Sequence, residues 1–456
     1  MVNIGAFQDV RAEFLPIDSF RNNQLNLNIY LTPLKKNSLT FSVTGTSKSN
    51  NFVGSEVKLT QTTRNLFRGA EQLDISVSGG FETQVSGIAK GLNSYSFTAE
   101  GKLTFPQFIV PFYKPKTTNA FIPKTIASLS YQLLSRGSQY SLNAFKTEFG
   151  YNWKENIRKE HNLNPISVNY VQPSFPNTDI RDSLFDANPI LRSSLQPQFI
   201  IGSNYNFTYS TQMEQSRRNT TYFNAGIETS GNLWGLFVKK DELGKRELFN
   251  TSLTQFVRLE TDLRDYFKIT RNVTWASRLN LGYGYAYGNS TSLPFVRQFF
   301  AGGSNDIRAF RARTLGPGTY KVSDDKTFSD QGGDIKMMLN TELRFKIVSV
   351  LYGAVFVDAG NIWLRKEDKG DPTIPGSERL GSGFKLKNAL SELAVGTGAG
   401  LRIDAQIFVI RLDGAFPIRK PYLPSGQRWV LDQVDFGSKT WRKENFILNI
   451  GIGYPF

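Results

Sequence analysis

The densest group of chemically capable side chains lies between Arg297 and Tyr320, in the stretch RQFFAGGSNDIRAFRARTLGPGTY. Phe299 and Phe300 lead into Gly302-Gly303. The tetrad Ile307-Arg308-Ala309-Phe310 follows, and Arg311 and Arg313 add to its charge. A guanidinium is a planar, permanently charged fork of donors, so it suits recognition of carboxylate or phosphate rather than proton transfer. The stretch is too rich in glycine for a helix and too basic to lie against lipid. Loops longer than about 12–15 residues are uncommon in compact proteins unless they have a task.

Groups suited to covalent or acid–base chemistry are sparse. His161 is the only histidine, and cysteine is absent. Multi-histidine metal sites, thiol nucleophiles, disulfides and cysteine–zinc sites are therefore excluded. His161 sits among Lys159, Glu160 and Asn162 and reads as a solvated turn residue. No G-x-S-x-G elbow or P-loop occurs. Asp324-Asp325 and the trio Glu367, Asp368 and Asp371 read as solvated loop acids rather than a cation site. The expectation is a protein that is not an enzyme, with no catalytic residue, no metal site and no cofactor.

The elements that must position the arginine loop are strands. The 456 residues include 36 Phe, 18 Tyr and 39 Gly, with aromatics at 13%, a balance that favours β structure. Mean hydropathy is −0.32, and no apolar run approaches the roughly 18 residues of a membrane-spanning helix. The net charge of +15 is spread along the chain. Without a basic helix or RNP-like run it does not indicate nucleic acid, and it suits anionic lipid headgroups instead.

Phe7 to Leu15 and Gln24 to Leu31 alternate and read as the end of a small α/β domain. Met1 to Gly5 has neither the basic nor the apolar part of a signal peptide. From Ser38 onward, alternating segments of about ten residues follow one another. Leu39, Phe41 and Val43 oppose Thr40, Ser42 and Thr44. Leu279, Leu281 and Tyr283 oppose Asn280, Gly282 and Gly284. Phe446, Leu448, Ile450, Ile452, Tyr454 and Phe456 oppose Asn445, Asn449, Gly451 and Gly453. Strands of about 9–11 residues with polar residues on one face suit a barrel in a bilayer. About sixteen such strands fit, an even number as bacterial barrels require. The first lies near 38–47, the eleventh to thirteenth near 272–288, 331–346 and 349–360, and the last near 445–456. Connections 176–195, 231–252, 289–330, 361–390 and 415–444 are long and fall on one end, while those on the other end are mostly short. The stretch 106–124 is long for its end, and 182–191 reads as a short helix.

With the strands placed, four features make the chain resemble the BamA/TamA superfamily of outer-membrane assembly and translocation barrels. They are the tetrad Ile307-Arg308-Ala309-Phe310 after Phe299–Gly303, Asn340-Thr341-Glu342, Phe356-Val357-Asp358-Ala359-Gly360, and an aromatic last strand ending at Phe456. The turn Arg64-Asn65-Leu66-Phe67-Arg68-Gly69 adds to the likeness, and the TamA-like branch is favoured. One departure stands out: Ala309 replaces the usual glycine of the tetrad. If that position needs φ > 0, alanine costs about a kcal/mol.

The resemblance implies an all-β, 16-stranded antiparallel transmembrane barrel over 37–456, preceded by a POTRA remnant over 1–36. It implies a bacterial outer-membrane protein with its remnant domain in the periplasm. Loop 289–330 folds into the lumen, where Arg308 meets Glu342 and Asp358. Phe356 and Gly360 mark the strand motif. Leu39, Phe41, Val43, Gly451, Gly453 and Phe456 mark a lateral seam between first and last strands. Implied partners are outer-membrane lipids including lipopolysaccharide, unfolded outer-membrane or secreted clients, and a TamB-like periplasmic protein, with no nucleic acid. The alternatives are a two-partner-secretion transporter and a passive porin-like channel.

Overall fold

The computed structural model describes residues 4–16, 25–47, 52–84, 93–110, 121–137, 139–187, 195–214, 216–232, 234–238, 246–248, 251–321, 331–370, 377–405 and 409–456. A two-stranded antiparallel sheet comes first, from β1 (Phe7–Pro16) and β2 (Leu25–Pro33). The barrel begins with β3 (Asn37–Ser47), β4 (Phe52–Arg64), β5 (Gln72–Gln84), β6 (Asn93–Phe105) and β7 (Lys124–Arg136). It continues through β8 (Tyr140–Lys154), β9 (Lys159–Ser174), β10 (Gln198–Ser210) and β11 (Asn219–Ser230). A small hairpin of β12 (Glu247–Leu248) and β13 (Thr251–Ser252) stands in one long loop. The barrel resumes with β14 (Phe256–Lys268), β15 (Val273–Ala286), β16 (Ile335–Val348) and β17 (Leu351–Trp363). It ends with β18 (Ala394–Asp404), β19 (Val409–Arg419) and β20 (Ile447–Ile452). Together these are sixteen antiparallel strands, each paired with its neighbours in sequence.

Side-chain alternation explains the wall. On β17, Val355 and Val357 are exposed while Ala354, Phe356, Asp358 and Gly360 are buried. On β15, Trp275, Leu281, Tyr283 and Tyr285 are exposed while Ala276 and Asn280 are buried. Apolar side chains left bare in water are costly at about 25 cal/mol per Å². A belt of them around one face marks that face as the lipid side. The polar and charged residues on the other face line the lumen. Its core is the cluster that includes Phe299, Ala301, Ile307, Ala309, Phe310, Met338, Phe356 and Ile362, shared by the 287–334 connection and strands β16 and β17.

Three sequence expectations are corrected. The last strand is only six residues, because α2 (Lys439–Asn445), capped by Ser438, takes the expected start, and Gly453 (φ 85°) turns the chain aside at the other end. Phe456 accordingly leaves the lipid face of Leu448, Ile450 and Ile452 and is buried. His161 is not a solvated turn residue but lies in β9, 8% exposed. Its ring stacks on Trp153 at 4.7 Å and bonds to the Tyr205 hydroxyl at 2.8 Å and to Glu155 at 3.1 Å. It belongs to an aromatic band on the wall, where Trp, Tyr and Phe gather at membrane interfaces.

The expected short helix at 182–191 starts four residues earlier, as α1 (Thr178–Ala187), and 188–191 lie outside the described residues. Parts of 106–124, the expected beginning of the fifteenth barrel strand at 406–408, and Asp324, Asp325 and Asp371 lie outside the described residues. Glu367 accepts from the Gly381 N–H at 2.7 Å and Asp368 pairs with Arg379 at 2.8 Å, so both acids fasten their own loop.

The lipid face sets an expected outcome. Leu281→Arg puts a charge near the middle of β15 and should cost about 2–4 kcal/mol. Denaturant unfolding in detergent or lipid checks this. Folded barrel should migrate apart from boiled chain on a gel, and the variant should lose the folded band at lower denaturant.

Candidate functional site

The connection between β15 and β16 carries the arginine loop. Gly303 N–H donates to Phe310 O at 2.8 Å and Phe310 N–H to Ile307 O at 3.0 Å, so the tetrad forms a tight, self-bonded turn. Gly302 has φ 96°, and a Cβ there would sit 2.3 Å from the Arg311 carbonyl. The turn faces the inner side of β16 to β20.

Arg308 is 1% exposed and is gripped from three sides. Its Nε and Nη2 donate to the two oxygens of Asp358 at 2.8 and 2.9 Å, and its backbone N–H adds a third bond at 3.1 Å. Nη1 donates to Glu342 Oε2 at 2.5 Å. The guanidinium lies 3.4 Å above the centre of the Phe356 ring. Forked geometry, two carboxylates and a π-face are what a buried guanidinium needs to offset its lost hydration.

Further groups complete the cluster. Arg402 donates to Glu342 at 3.2 Å and to Asp413, which also lies 3.6 Å from Arg308. Arg411 donates to Ser304 O at 3.1 Å and Asn305 Oδ1 at 2.7 Å in the loop, and stands 3.3 Å from Asp413. Arg344 donates to Glu342 at 2.9 Å. Asn340 bridges the Asp306 carbonyl and Asp358, each at 2.8 Å. Asn449, on the last strand, donates to the Arg308 carbonyl at 2.9 Å. Four guanidinium groups thus surround three carboxylates, and the loop is bonded to β16, β17, β19 and β20.

The expected residues fall into two groups. Ile307, Arg308, Ala309, Phe310, Glu342, Phe356, Asp358 and Gly360 come together. A Cβ on Gly360 would sit 3.0 Å from Ile307 Cδ1, so that glycine makes room for the loop. Leu39, Phe41 and Val43 lie apart on the lipid face of β3, each more than 60% exposed. Gly451 faces the Arg411 guanidinium, 2.7 Å from where a Cβ would be. The sequence reading missed Arg344, Arg402, Arg411, Asp413 and Asn449 as members. Their signal was parity alone: each falls on the inward set of its strand.

Ala309 carries no left-handed strain, since it is absent from the non-glycine residues with positive φ. Its methyl group instead faces Gly396 on β18, where an added Cβ would come within 2.2 Å. The smallest residue stands in the wall here, and the loop carries the methyl.

The turn at 65–71 is built around Glu71. Asn65, Arg68 and Ala70 all have positive φ. Glu71 Oε2 accepts from the Phe67 and Gly69 N–H groups, both at 3.0 Å. Burial opposes its charge, but main-chain donors from Glu71, Gly69 and Phe67 outweigh that and hold its pKa below the usual glutamate value.

The fold and the clamp define a transmembrane β-barrel whose long inward loop is fastened to its own wall. Residues 21–452 match the Omp85 superfamily domain, and the chain belongs to that superfamily. Outer membrane protein assembly factor BamA of Neisseria meningitidis serogroup B is 24% identical over 207 residues, 41% of this chain and 26% of that protein. The match therefore spans about a quarter of that curated relative's length. The crystal structure of BamA from Haemophilus ducreyi lacking POTRA domains 1-3 superposes with TM-score 0.62 at 15% identity, covering 99% of this chain and 76% of that one. CdiB from Acinetobacter baumannii superposes with TM-score 0.51 at 12% identity, covering 99% and 66%. Both structures share the fold.

Two outcomes test the clamp. Arg308→Glu adds a fourth carboxylate beside Glu342, Asp358 and Asp413 and should cost about 3–5 kcal/mol, the usual penalty for breaking a buried pair. Pairing it with Asp358→Arg should recover part of the loss, and simple additivity would mean the two residues are uncoupled. Gly396→Ala should cost about 1–3 kcal/mol through overpacking, and Ala309→Gly in the same chain should restore it. Denaturant midpoints of the four-member mutant sets decide both.

Proposed function

We propose that this protein assembles or translocates other proteins at a bacterial outer membrane, without chemical catalysis. Unfolded outer-membrane or secreted chains are its clients, taken up through a lateral seam between β3 and β20. The observation that carries the reading is the state of that seam. β20 pairs with β19 over six residues, β3 pairs with β4, and no ladder joins β3 to β20 among the described residues. A free edge exposes unpaired N–H and C=O groups, and an incoming strand can satisfy them by β-augmentation. Each bond so gained contributes about 0.5–1.5 kcal/mol net.

Family membership and the likeness to assembly factor BamA support this reading. In it, the first 36 residues are the remnant of a last POTRA domain on the periplasmic side. A two-stranded sheet is marginal alone, and exposed Phe14, Leu25 and Leu27 give β1 and β2 apolar surface to pack against the rest of such a domain. Outer-membrane lipids including lipopolysaccharide surround the barrel, and a TamB-like periplasmic partner accompanies the TamA-like branch of the family. The Arg308 clamp holds the loop in the lumen, which argues against an open passive pore.

The absence of cysteine makes a clean test. Cysteines placed across the seam, one among Thr40–Thr44 and one at Leu448 or Ile450, form the sole disulfide. Oxidation should abolish client assembly, and reduction should restore it, with the folded gel band unchanged. A fully crosslinked barrel that still assembles clients would exclude passage through the seam.

A further inference from the structure

The chain beyond β20 does not run on beside β3. Gly453 N–H makes a last bond to Val409 O on β19 at 2.7 Å, and its φ of 85° then turns the backbone out of the strand line. The next three residues, Tyr454, Pro455 and Phe456, go to Arg344 on the inner face of β16. Arg344 Nη2 donates to the main-chain oxygen of Phe456 at 3.2 Å. Its guanidinium lies 4.5 Å from the centre of the Tyr454 ring and 5.3 Å from that of Phe456. Phe456 is 6% exposed as a result. The other end of the same guanidinium holds Glu342 at 2.9 Å.

The direction of this contact matters. In the sheet order, β16 lies four strand steps from β20 on one side, while the edge of β3 lies on the other side. Four spacings of about 4.8 Å put β16 roughly 19 Å away along the wall. Three residues span about 10 Å at most. A tail that reaches Arg344 across the lumen therefore cannot also lie in a ladder with β3. The two arrangements exclude each other.

We propose that Arg344 is a positioning residue that latches Tyr454–Phe456 inside the lumen and so keeps the edge of β3 free. This rests on the seam reading above. Gly453 is the hinge: its left-handed conformation serves the latched tail, and an extended one would let residues 453–456 lengthen β20 toward β3. Arg344 reaches the tail from Glu342, the carboxylate that also holds Arg308 and Arg402. The loop clamp and the seam thus share one acidic group. Movement of the loop alters the grip on the tail, and seizure of the tail by another strand alters the grip on the loop.

The test reads the seam directly. Phe41→Cys and Ile450→Cys place two labels on lipid-facing positions outside the clamp of an otherwise cysteine-free chain. Pulsed EPR on the labelled barrel in lipid gives the distance distribution across the seam. Arg344→Gln should shift that distribution to shorter distance and narrow it, as the tail pairs with β3. Glu342 keeps Arg308 and Arg402, so the barrel should still fold. Arg344→Lys retains the charge and should stay near the parent distribution. Tyr454→Ala with Phe456→Ala removes the stacked rings, leaves the clamp intact and should move the seam the same way as Arg344→Gln. An unchanged distribution in Arg344→Gln and in the aromatic variant overturns the latch. A shifted seam with undiminished client assembly supports the latch and overturns the seam as the client's route.

Discussion

A permanently charged guanidinium is buried in the middle of this barrel, and the rest of the structure is arranged to make that tolerable. Arg308 cannot shed its charge, so its burial depends on full pairing. Asp358 supplies two oxygens, Glu342 a third, and Phe356 a π-face. Those three residues come from two adjacent strands whose register must be right, since a slip of one residue would turn every one of them to the lipid. The loop needs the wall to neutralise Arg308. The wall needs Arg308 most at Asp358, whose other described side-chain partner is the neutral Asn340 amide, while Arg344, Arg402 and Arg411 also serve Glu342 and Asp413. Each arrangement stabilises the other.

Packing reinforces the charge pairing. The loop approaches β17 and β18 so closely that Gly360 and Gly396 stand where larger residues would collide with Ile307 and Ala309. The methyl group of Ala309 and the bare Cα of Gly396 are complementary, so the departure from the family's tetrad glycine is accommodated across the interface and not by backbone strain. Beyond the loop, Arg402, Arg411 and Asn449 extend the same network to the last three strands. The weakest part of the wall is therefore tied to its most strongly bonded part.

That tie gives the barrel an uneven distribution of stability. Strands β8 and β9 run 15 and 16 residues with long ladders, whereas β20 has six. Local opening follows the sparsest hydrogen bonding, which here is the edge between β20 and β3. The lumen network acts on this edge from within, through Asn449 on β20 and through Arg344 on the tail that follows it.

Much of this was determined by the sequence. Period-two alternation placed sixteen strands, because lipid on one side and water or loop on the other demand opposite polarities at successive residues. Parity also assigned Glu342 and Asp358 to the lumen, and the tetrad's resemblance to the family motif implied Arg308 as their partner. Parity placed Arg402, Arg411 and Asp413 inward too, but it cannot say which inward residues meet across a lumen, since strand period carries no information about distance between strands far apart in the sheet. The last strand shows the limit from the other side. Its alternating pattern runs unbroken to Phe456, yet the strand stops at Ile452. A glycine in the left-handed region, a helix cap at Ser438 and an arginine more than a hundred residues away outweigh the local pattern. His161 was misread for a related reason: its sequence neighbours are charged, but Trp153, Tyr205 and Phe207, which actually surround it, come from β8 and β10. The wall's local geometry was written in the chain, while the clamp's membership, the free seam and the fate of the tail were decided by which strands the curved sheet brings together.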